Sequence, residues 1–103
     1  MESKVMFKII LESVNGEQLD QVFEEGNVKY LQQNEDKFEM LGELSTCSYD
    51  VYSSKDMDML ILELVRLKEM PLDSNEIKHI EEIISLADKC KNIENIRLII
   101  TPF

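Results

Sequence analysis

Hydrophobic and polar positions alternate along residues 4–14 at the start of the chain. The apolar positions that share one face are Val5, Phe7, Ile9 and Leu11. A period of two, rich in β-branched and aromatic residues, is typical of a half-buried strand. The Asn15-Gly16 pair that follows predicts a turn, because both residue types tolerate a positive φ.

Two further segments alternate in the same way, residues 28–32 and 38–44, and a polar turn over 34–37 separates them. The pattern predicts a hairpin. Gly42 inside the second segment indicates a bulge or a close neighbour. Residues 17–25 stay open between a short helix and a strand, because their apolar positions suit a single helical turn but the segment is short.

A helix is predicted between Ser53, which can cap its first turn, and Pro71, which ends it. Its apolar positions follow at helical spacing: Met57, Leu60, Ile61, Leu64 and Leu67. Three more apolar residues, Met59, Leu62 and Val65, widen this stripe. We therefore expect the helix to be buried over more than one face.

A second helix is predicted from Asp73, which forms a capping-box pattern with Glu76. Its expected core stripe is Ile77, Ile80, Ile84 and Ala87, flanked by Ile83, Leu86 and Cys90. Residues 95–101 then form a nearly continuous apolar run. Such a run predicts a central strand.

These elements predict an α+β fold in a single domain spanning residues 1–103. We expect a four-stranded mixed or antiparallel sheet with a helical hairpin on one face, in the order strand, short helix, two strands, two helices, strand. The short helix is the segment whose type stays open. The predicted common core is Leu60, Ile61, Leu64, Ile80, Ile84, Leu98 and Ile100.

Charge narrows the choice of partner. The chain has 103 residues, and 11 basic against 21 acidic residues give a net charge of −10. This excess disfavours binding to a phosphate backbone. Residues 1–63 hold 14 acidic and 5 basic residues, whereas residues 64–103 are nearly neutral. The asymmetry indicates a one-sided electrostatic field, although acidic residues that simply face water would also account for it.

The sequence offers little for catalysis, and we expect no enzyme, no cofactor and no metal site. The single histidine, His79, has no nucleophile at a useful spacing and is expected at the surface or at the core boundary. Asp56-Met57-Asp58 lacks the glycine and terminal glutamate of a calcium loop, and no phosphate-binding loop occurs. Cys47 and Cys90 are expected as reduced, buried thiols.

No secretion pattern and no bilayer-length apolar run occur in the sequence, which predicts a cytoplasmic protein without a membrane partner. Tyr49 and Tyr52 lie just before the first long helix. Tyrosines at such a place anchor protein interfaces, because they bury a large area at low entropic cost. The alternative is that one tyrosine packs on the core and the other caps it.

Residues 41–103 present a strand, then Tyr49-Asp50-Val51-Tyr52-Ser53-Ser54, a Leu/Ile-rich helix, a helix with Glu76 and His79-Ile80-Glu81, and a closing apolar strand. This order resembles small immunity proteins of bacterial polymorphic toxin systems, including contact-dependent growth inhibition. The resemblance implies a cytosolic protein that binds and blocks one cognate toxin, often a nuclease. It transfers no interface residues, because such interfaces diverge with their toxins.

We therefore expect a basic toxin, with a nuclease domain, as the partner and no nucleic acid, because an acidic surface steers and complements a basic cleft. The predicted contact residues are Glu24, Glu25, Glu35, Asp36, Tyr49, Asp50, Tyr52, Asp56 and Asp58. Two alternatives stay open. One is a phage-type nucleic-acid mimic that inhibits a DNA-binding defence protein, and the other is an adaptor or oligomer subunit. The oligomeric state is also open.

Overall fold

The computed structural model describes residues 6–103, and its strands form one antiparallel sheet. The strands are β1 (Phe7–Ser13), β2 (Gln18–Phe23), β3 (Asp50–Tyr52) and β4 (Ile96–Pro102). Their order across the sheet is β2-β1-β4-β3, so β1 and β4 are central. The predicted first strand and the central position of the last are confirmed, although Lys4 and Val5 lie outside the described residues.

One face of the sheet forms the floor of the core. Its buried side chains are Phe7, Ile9 and Leu11 of β1 with Ile96, Leu98 and Ile100 of β4. Alternation places the neighbours of these residues on the opposite face. The apolar period of two therefore produces a sheet with one packed face, as an antiparallel sheet allows.

The helices lie on the packed face. They are α1 (Val28–Leu31), α2 (Met57–Leu67) and α3 (Ser74–Asn92). The longest, α3, contacts β1, β2 and β4, and α2 packs against α3. The predicted capping box is present: the Glu76 N–H donates to Asp73 Oδ1 at 2.8 Å, and the Asp73 N–H donates to Glu76 Oε1 at 3.0 Å. The α+β class, the antiparallel sheet and the helix pair are confirmed.

The order of the elements differs from the prediction. Residues 17–25 contain a strand, β2, whereas the strand predicted over 28–32 is wrong because α1 occupies it. The strand predicted over 38–44 is also wrong, because this segment holds turns and the single 3-10 turn Leu41–Glu43. Its alternating apolar residues are buried because they wrap the edge of the core, which imposes no strand geometry.

Two contacts hold residues 38–44 in place, and we call these residues the wrapping segment. The buried Glu63 carboxylate of α2 accepts backbone N–H groups from Met40 at 3.0 Å and Leu41 at 3.0 Å. Gly42 approaches the chain closely, since a Cβ there would lie 2.5 Å from the Glu35 Cα. The expected close neighbour of Gly42 is therefore present. Because the backbone N–H groups of Met40 and Leu41 donate to the Glu63 carboxylate, they are not paired with a neighbouring strand.

The side chains that α2 and α3 bury differ in part from the predicted ones. In α2 a single stripe is buried, and the expectation of burial over more than one face is wrong. In α3 the most buried residues are His79, Ile80, Ile83, Leu86, Ala87 and Cys90. Ile77, Ile84 and, in α2, Ile61 are only partly buried, so these members of the predicted stripes sit at the margin of the core.

His79 is buried, which corrects its expected surface or boundary position. Its Nε2 lies 3.1 Å from Asn27 Nδ2, and its Nδ1 lies 3.4 Å from Glu82 Oε1. Asn27 Oδ1 accepts the Phe7 N–H at 2.7 Å, while Nδ2 donates to the Phe7 carbonyl at 2.8 Å. These bonds fix the amide orientation, so His79 Nε2 accepts a hydrogen bond. The Asn27 side chain extends the ladder of β1 beyond the end of β2.

The two cysteines lie in different surroundings. Cys90 is buried, and burial raises the pKa of its thiol. Cys47 is exposed, which corrects its expected burial. Because it lies in the loop before β3, its thiol has no packing role comparable with that of Cys90.

Candidate protein-binding surface

The outward face of α2 carries three large apolar side chains that are about half exposed. Met59, Leu62 and Val65 are 46%, 60% and 42% exposed. Their spacing of three places them on neighbouring turns of one helix face. Single exposed apolar residues are ordinary, but a contiguous group marks an interaction site.

Carboxylates flank this apolar face. A cleft of about 390 Å³ is lined by Glu35, Asp36 and Glu39 across from Met59 and Leu62. A neighbouring groove of about 300 Å³ shares Glu39 and Met59 with this cleft, and Glu43, Tyr52 and Asp56 also line it. We call the combined area the α2 surface. Its members are Met59, Leu62, Val65, Glu35, Asp36, Glu39, Glu43, Tyr52 and Asp56.

Most carboxylates of the α2 surface lack a cation. Glu35, Asp36, Glu39 and Glu43 form no ion pair with any residue in the described range 6–103. Some carboxylates elsewhere are paired, as in Asp58–Lys91 at 2.7 Å and Arg97–Glu12 at 2.6 Å, whereas others, such as Glu17 and Glu94, also form no ion pair with a described residue. Lys37, Lys55 and Arg66 line the same clefts. The surface therefore keeps a modest acidic excess around an apolar centre.

Arg66 gives one end of the α2 surface a fixed positive charge. Its guanidinium carbon lies 4.7 Å from the centre of the Phe38 ring. Stacking on an aromatic face holds the guanidinium plane while its N–H donors stay available. The α2 surface thus has an acidic side and a defined cationic end, which allows it to select the orientation of a partner.

The two predicted tyrosine anchors occupy different environments. Tyr52 packs partly against the core, and its pKa is raised by burial and by the carboxylates of Asp50 and Glu43. Its phenol therefore stays neutral and lines the groove beside Met59. Tyr49, which precedes β3, is 65% exposed. The alternative in which one tyrosine packs on the core fits Tyr52.

Asp50 is a partly buried carboxylate at the edge of the sheet. Burial raises its pKa, and no hydrogen bond or ion pair joins its side chain to another residue of the described chain. A carboxylate that loses hydration without gaining a partner destabilises the fold at neutral pH. Such a group is the kind that a cationic partner would neutralise on binding.

Replacing Asp50 with Asn should raise stability at pH 7 and leave it nearly unchanged at low pH. Folding raises the pKa of Asp50, so the stabilising contribution of its protonated form to the free energy of unfolding is fully present below the unfolded pKa of about 4. That contribution is lost as pH rises through the folded pKa. Urea denaturation of Asp50→Asn and wild type from pH 3 to 8 measures the difference. Glu39→Gln removes the same charge from an exposed site and should show a smaller gain, whereas equal gains would mean that only net charge matters.

Other predicted contact residues lie outside the α2 surface. Glu24 and Glu25 line a separate cavity of about 220 Å³ near the start of α3, where Glu24 accepts the Tyr30 hydroxyl at 2.7 Å. Asp58 is exposed on α2 but is held by Lys91. The structure thus brings together Glu35, Asp36, Tyr52 and Asp56, and it separates Glu24, Glu25 and the paired Asp58 from them.

Five members of the α2 surface were absent from the predicted contacts: Glu39, Glu43, Met59, Leu62 and Val65. The two carboxylates were assigned to a strand that does not form. The three apolar residues were assigned to the core, although their excess beyond a single helical stripe was the available signal. A helix that is apolar beyond one stripe either is buried further or binds a partner.

Comparisons with protein-family models, with curated proteins and with solved structures found no match to this chain. Within residues 6–103, no cluster of three or more His, Cys, Asp and Glu side chains has the arrangement to hold a metal ion. Over the same residues, no helix combines the length and the apolar character needed to cross a bilayer.

Proposed function

We propose that this chain is a non-catalytic acidic protein that binds and neutralises a basic protein toxin in the cytoplasm, docking it on the α2 surface. The observation that carries the proposal is the convergence, around the exposed apolar face of α2, of carboxylates that pair with no cation within residues 6–103. An apolar centre with a polar rim is the usual anatomy of a protein interface. The resemblance of residues 41–103 to immunity proteins supports the same function.

A nuclease domain is the class of toxin that best fits this charge pattern. A nuclease must attract phosphate, so its active cleft carries a basic field that an acidic partner complements. Steering by the carboxylates raises the association rate, while burial of Met59 and Leu62 slows dissociation. The apolar centre favours docking against a protein. A nucleic-acid mimic would instead need an evenly spaced row of acidic residues in place of the phosphates.

Capture from the native host tests this proposal. Immobilised wild-type chain should retain a basic protein that a Glu35→Lys/Asp36→Lys/Leu62→Glu variant does not retain. Expressing the retained protein alone should arrest growth of a bacterial host, and co-expressing the wild-type chain should restore growth. If the retained protein is harmless alone, or if growth is restored equally by the variant, the proposed function is wrong.

Kinetics with the captured partner should separate steering from anchoring. Glu35→Lys/Asp36→Lys should slow association about tenfold at low salt, with a smaller effect at high salt, because screening weakens exposed charges. Leu62→Ala should instead speed dissociation about tenfold through loss of an apolar anchor. Surface plasmon resonance at two salt concentrations measures both rates.

The matched control is Glu17→Lys/Glu94→Lys, which reverses two exposed charges that line neither cleft. Its net charge equals that of the test variant, so long-range attraction falls equally in both. Association should slow much less in the control than in Glu35→Lys/Asp36→Lys. Equal slowing would assign the effect to net charge and remove the α2 surface as the docking site.

A further inference from the structure

The sheet has a second face, opposite α3, that no described helix covers. The register places ten side chains there: Lys8, Ile10, Glu12, Gln18, Gln21, Phe23, Val51, Arg97, Ile99 and Thr101. We call this set the outer sheet face. Val51 is 48% exposed, whereas Ile10 and Ile99 are partly buried by their neighbours.

An apolar row crosses three of the four strands of the outer sheet face at right angles, and on β2 the position that continues it is the polar Gln21. Ile10 pairs with Ile99 across β1 and β4, and Ile99 pairs with Val51 across β4 and β3. The row is flanked two residues away on β1 by Lys8 on one side and by Glu12 on the other. Arg97 lies beside Glu12 on β4 and pairs with it, so the row has Lys8 on one flank and the Glu12–Arg97 ion pair on the other. A two-fold axis along the row would set each flank of one copy against the opposite flank of the second copy.

The charge of the outer sheet face contrasts with that of the whole chain. Of its ten residues, only Glu12 is acidic, while Lys8 and Arg97 are basic, in a chain with a net charge of −10. Arg97 Nε and Nη2 both donate to Glu12 Oε1, at 2.9 and 2.6 Å. The Lys8 ammonium lies 3.8 Å from the centre of the Phe103 ring. This face is therefore one on which a second acidic chain meets little repulsion.

We propose that the outer sheet face packs against the same face of a second copy of this chain, around a two-fold axis along the row of Ile10, Ile99 and Val51. Such an axis reverses the strand direction of the second copy. The three apolar residues then lie on their own equivalents, and Lys8 faces Glu12 of the second copy. An axis parallel to the strands would instead bring Lys8 against Lys8, which costs energy.

The area of the outer sheet face determines how tightly the two copies are expected to associate. Four strands spaced about 4.8 Å apart, with central strands rising about 3.4 Å per residue, give a face of roughly 19 by 24 Å. Two copies of this face would bury roughly 900 Å² in total, which is below the range of about 1,200–2,000 Å² for stable specific interfaces, so we expect a weak, reversible dimer with a dissociation constant in the upper micromolar range. The dimer leaves the α2 surface free, because α2 lies on the opposite side of the sheet.

Sedimentation equilibrium of the full chain between about 1 and 500 µM tests the proposal. The mass should rise from 12.0 kDa to twice that value with concentration. Val51→Glu should weaken the dimer at least tenfold, because it places a charge in the apolar row. The control Val65→Glu adds the same charge to an exposed position on α2 and should weaken it much less. A monomer at every concentration, or equal effects of the two variants, would overturn the proposal.

A mixing experiment tests the axis. Lys8→Glu alone and Glu12→Lys alone should both dimerise weakly, because each homodimer opposes like charges twice. An equimolar mixture should form a heterodimer in which both pairs are again opposite in charge. Its affinity should be at least tenfold higher than that of either variant homodimer. Failure of the mixture to associate more tightly than either variant would exclude this two-fold arrangement.

Discussion

Replacing Asn27 with Ala should destabilise the protein by about 4 kcal/mol, the largest loss we expect from a single polar substitution. The change removes the partners of the Phe7 N–H, the Phe7 carbonyl and His79 Nε2, all in the buried interior. Each buried polar group left without a partner costs about 1–3 kcal/mol. Urea denaturation followed by circular dichroism measures the change in the free energy of unfolding.

Asn92→Ala is the control for this prediction. Asn92 is an exposed residue at the end of α3 whose side chain donates only to the Asp88 carbonyl. Its replacement should change stability by no more than about 0.5 kcal/mol, as is usual for surface sites. A loss below about 1 kcal/mol for Asn27→Ala would mean that water or backbone adjustment satisfies the β1 groups, and the ladder extension would be wrong.

Leu64→Ala should cost about 3 kcal/mol, whereas Leu62→Ala should cost less than about 0.5 kcal/mol. The two leucines lie two positions apart in α2 and differ in burial: Leu64 is in the core and Leu62 is on the outward face. Truncating a buried leucine removes apolar contact and leaves a cavity, while truncating an exposed one does neither. The free energies of unfolding of both variants provide the measurement.

This pair tests the helix phase directly because the substitutions are chemically identical. Similar losses would show that α2 is buried on both faces, which would also remove the apolar centre of the α2 surface. Ile84→Ala should fall between the two, since Ile84 packs only partly against the core.

The elements that the sequence predicted well are those with one long, regular period. β1 alternates over seven residues, β4 is a nearly continuous apolar run, and α3 combines a capping box with a long apolar stripe. Residues 28–44 failed because their apolar residues are buried by contacts made far along the chain. Glu63 holds Met40 and Leu41, and no local pattern encodes a carboxylate that arrives from a later helix.

The candidate site was predictable only in part, for a related reason. Acidic composition pointed to residues 35 and 36, and the turn before α2 pointed to Tyr52 and Asp56. Grouping them around Met59 depends on the fold of the wrapping segment, which carries Glu39 and Glu43 to the side of α2. His79 was misplaced because its burial depends on Asn27, a residue 52 positions away that reads locally as a turn.

Hydrogen exchange of the chain with and without its captured partner shows whether a basic partner docks on the α2 surface. Mass spectrometry should show slower exchange on binding in peptides covering residues 35–43 and 52–66. Peptides covering β1 and β4 should keep their exchange rates. The partner does not dock on the α2 surface if residues 35–43 and 52–66 show no change and protection is confined to the exposed side of α3 or to the residues around Glu24 and Glu25.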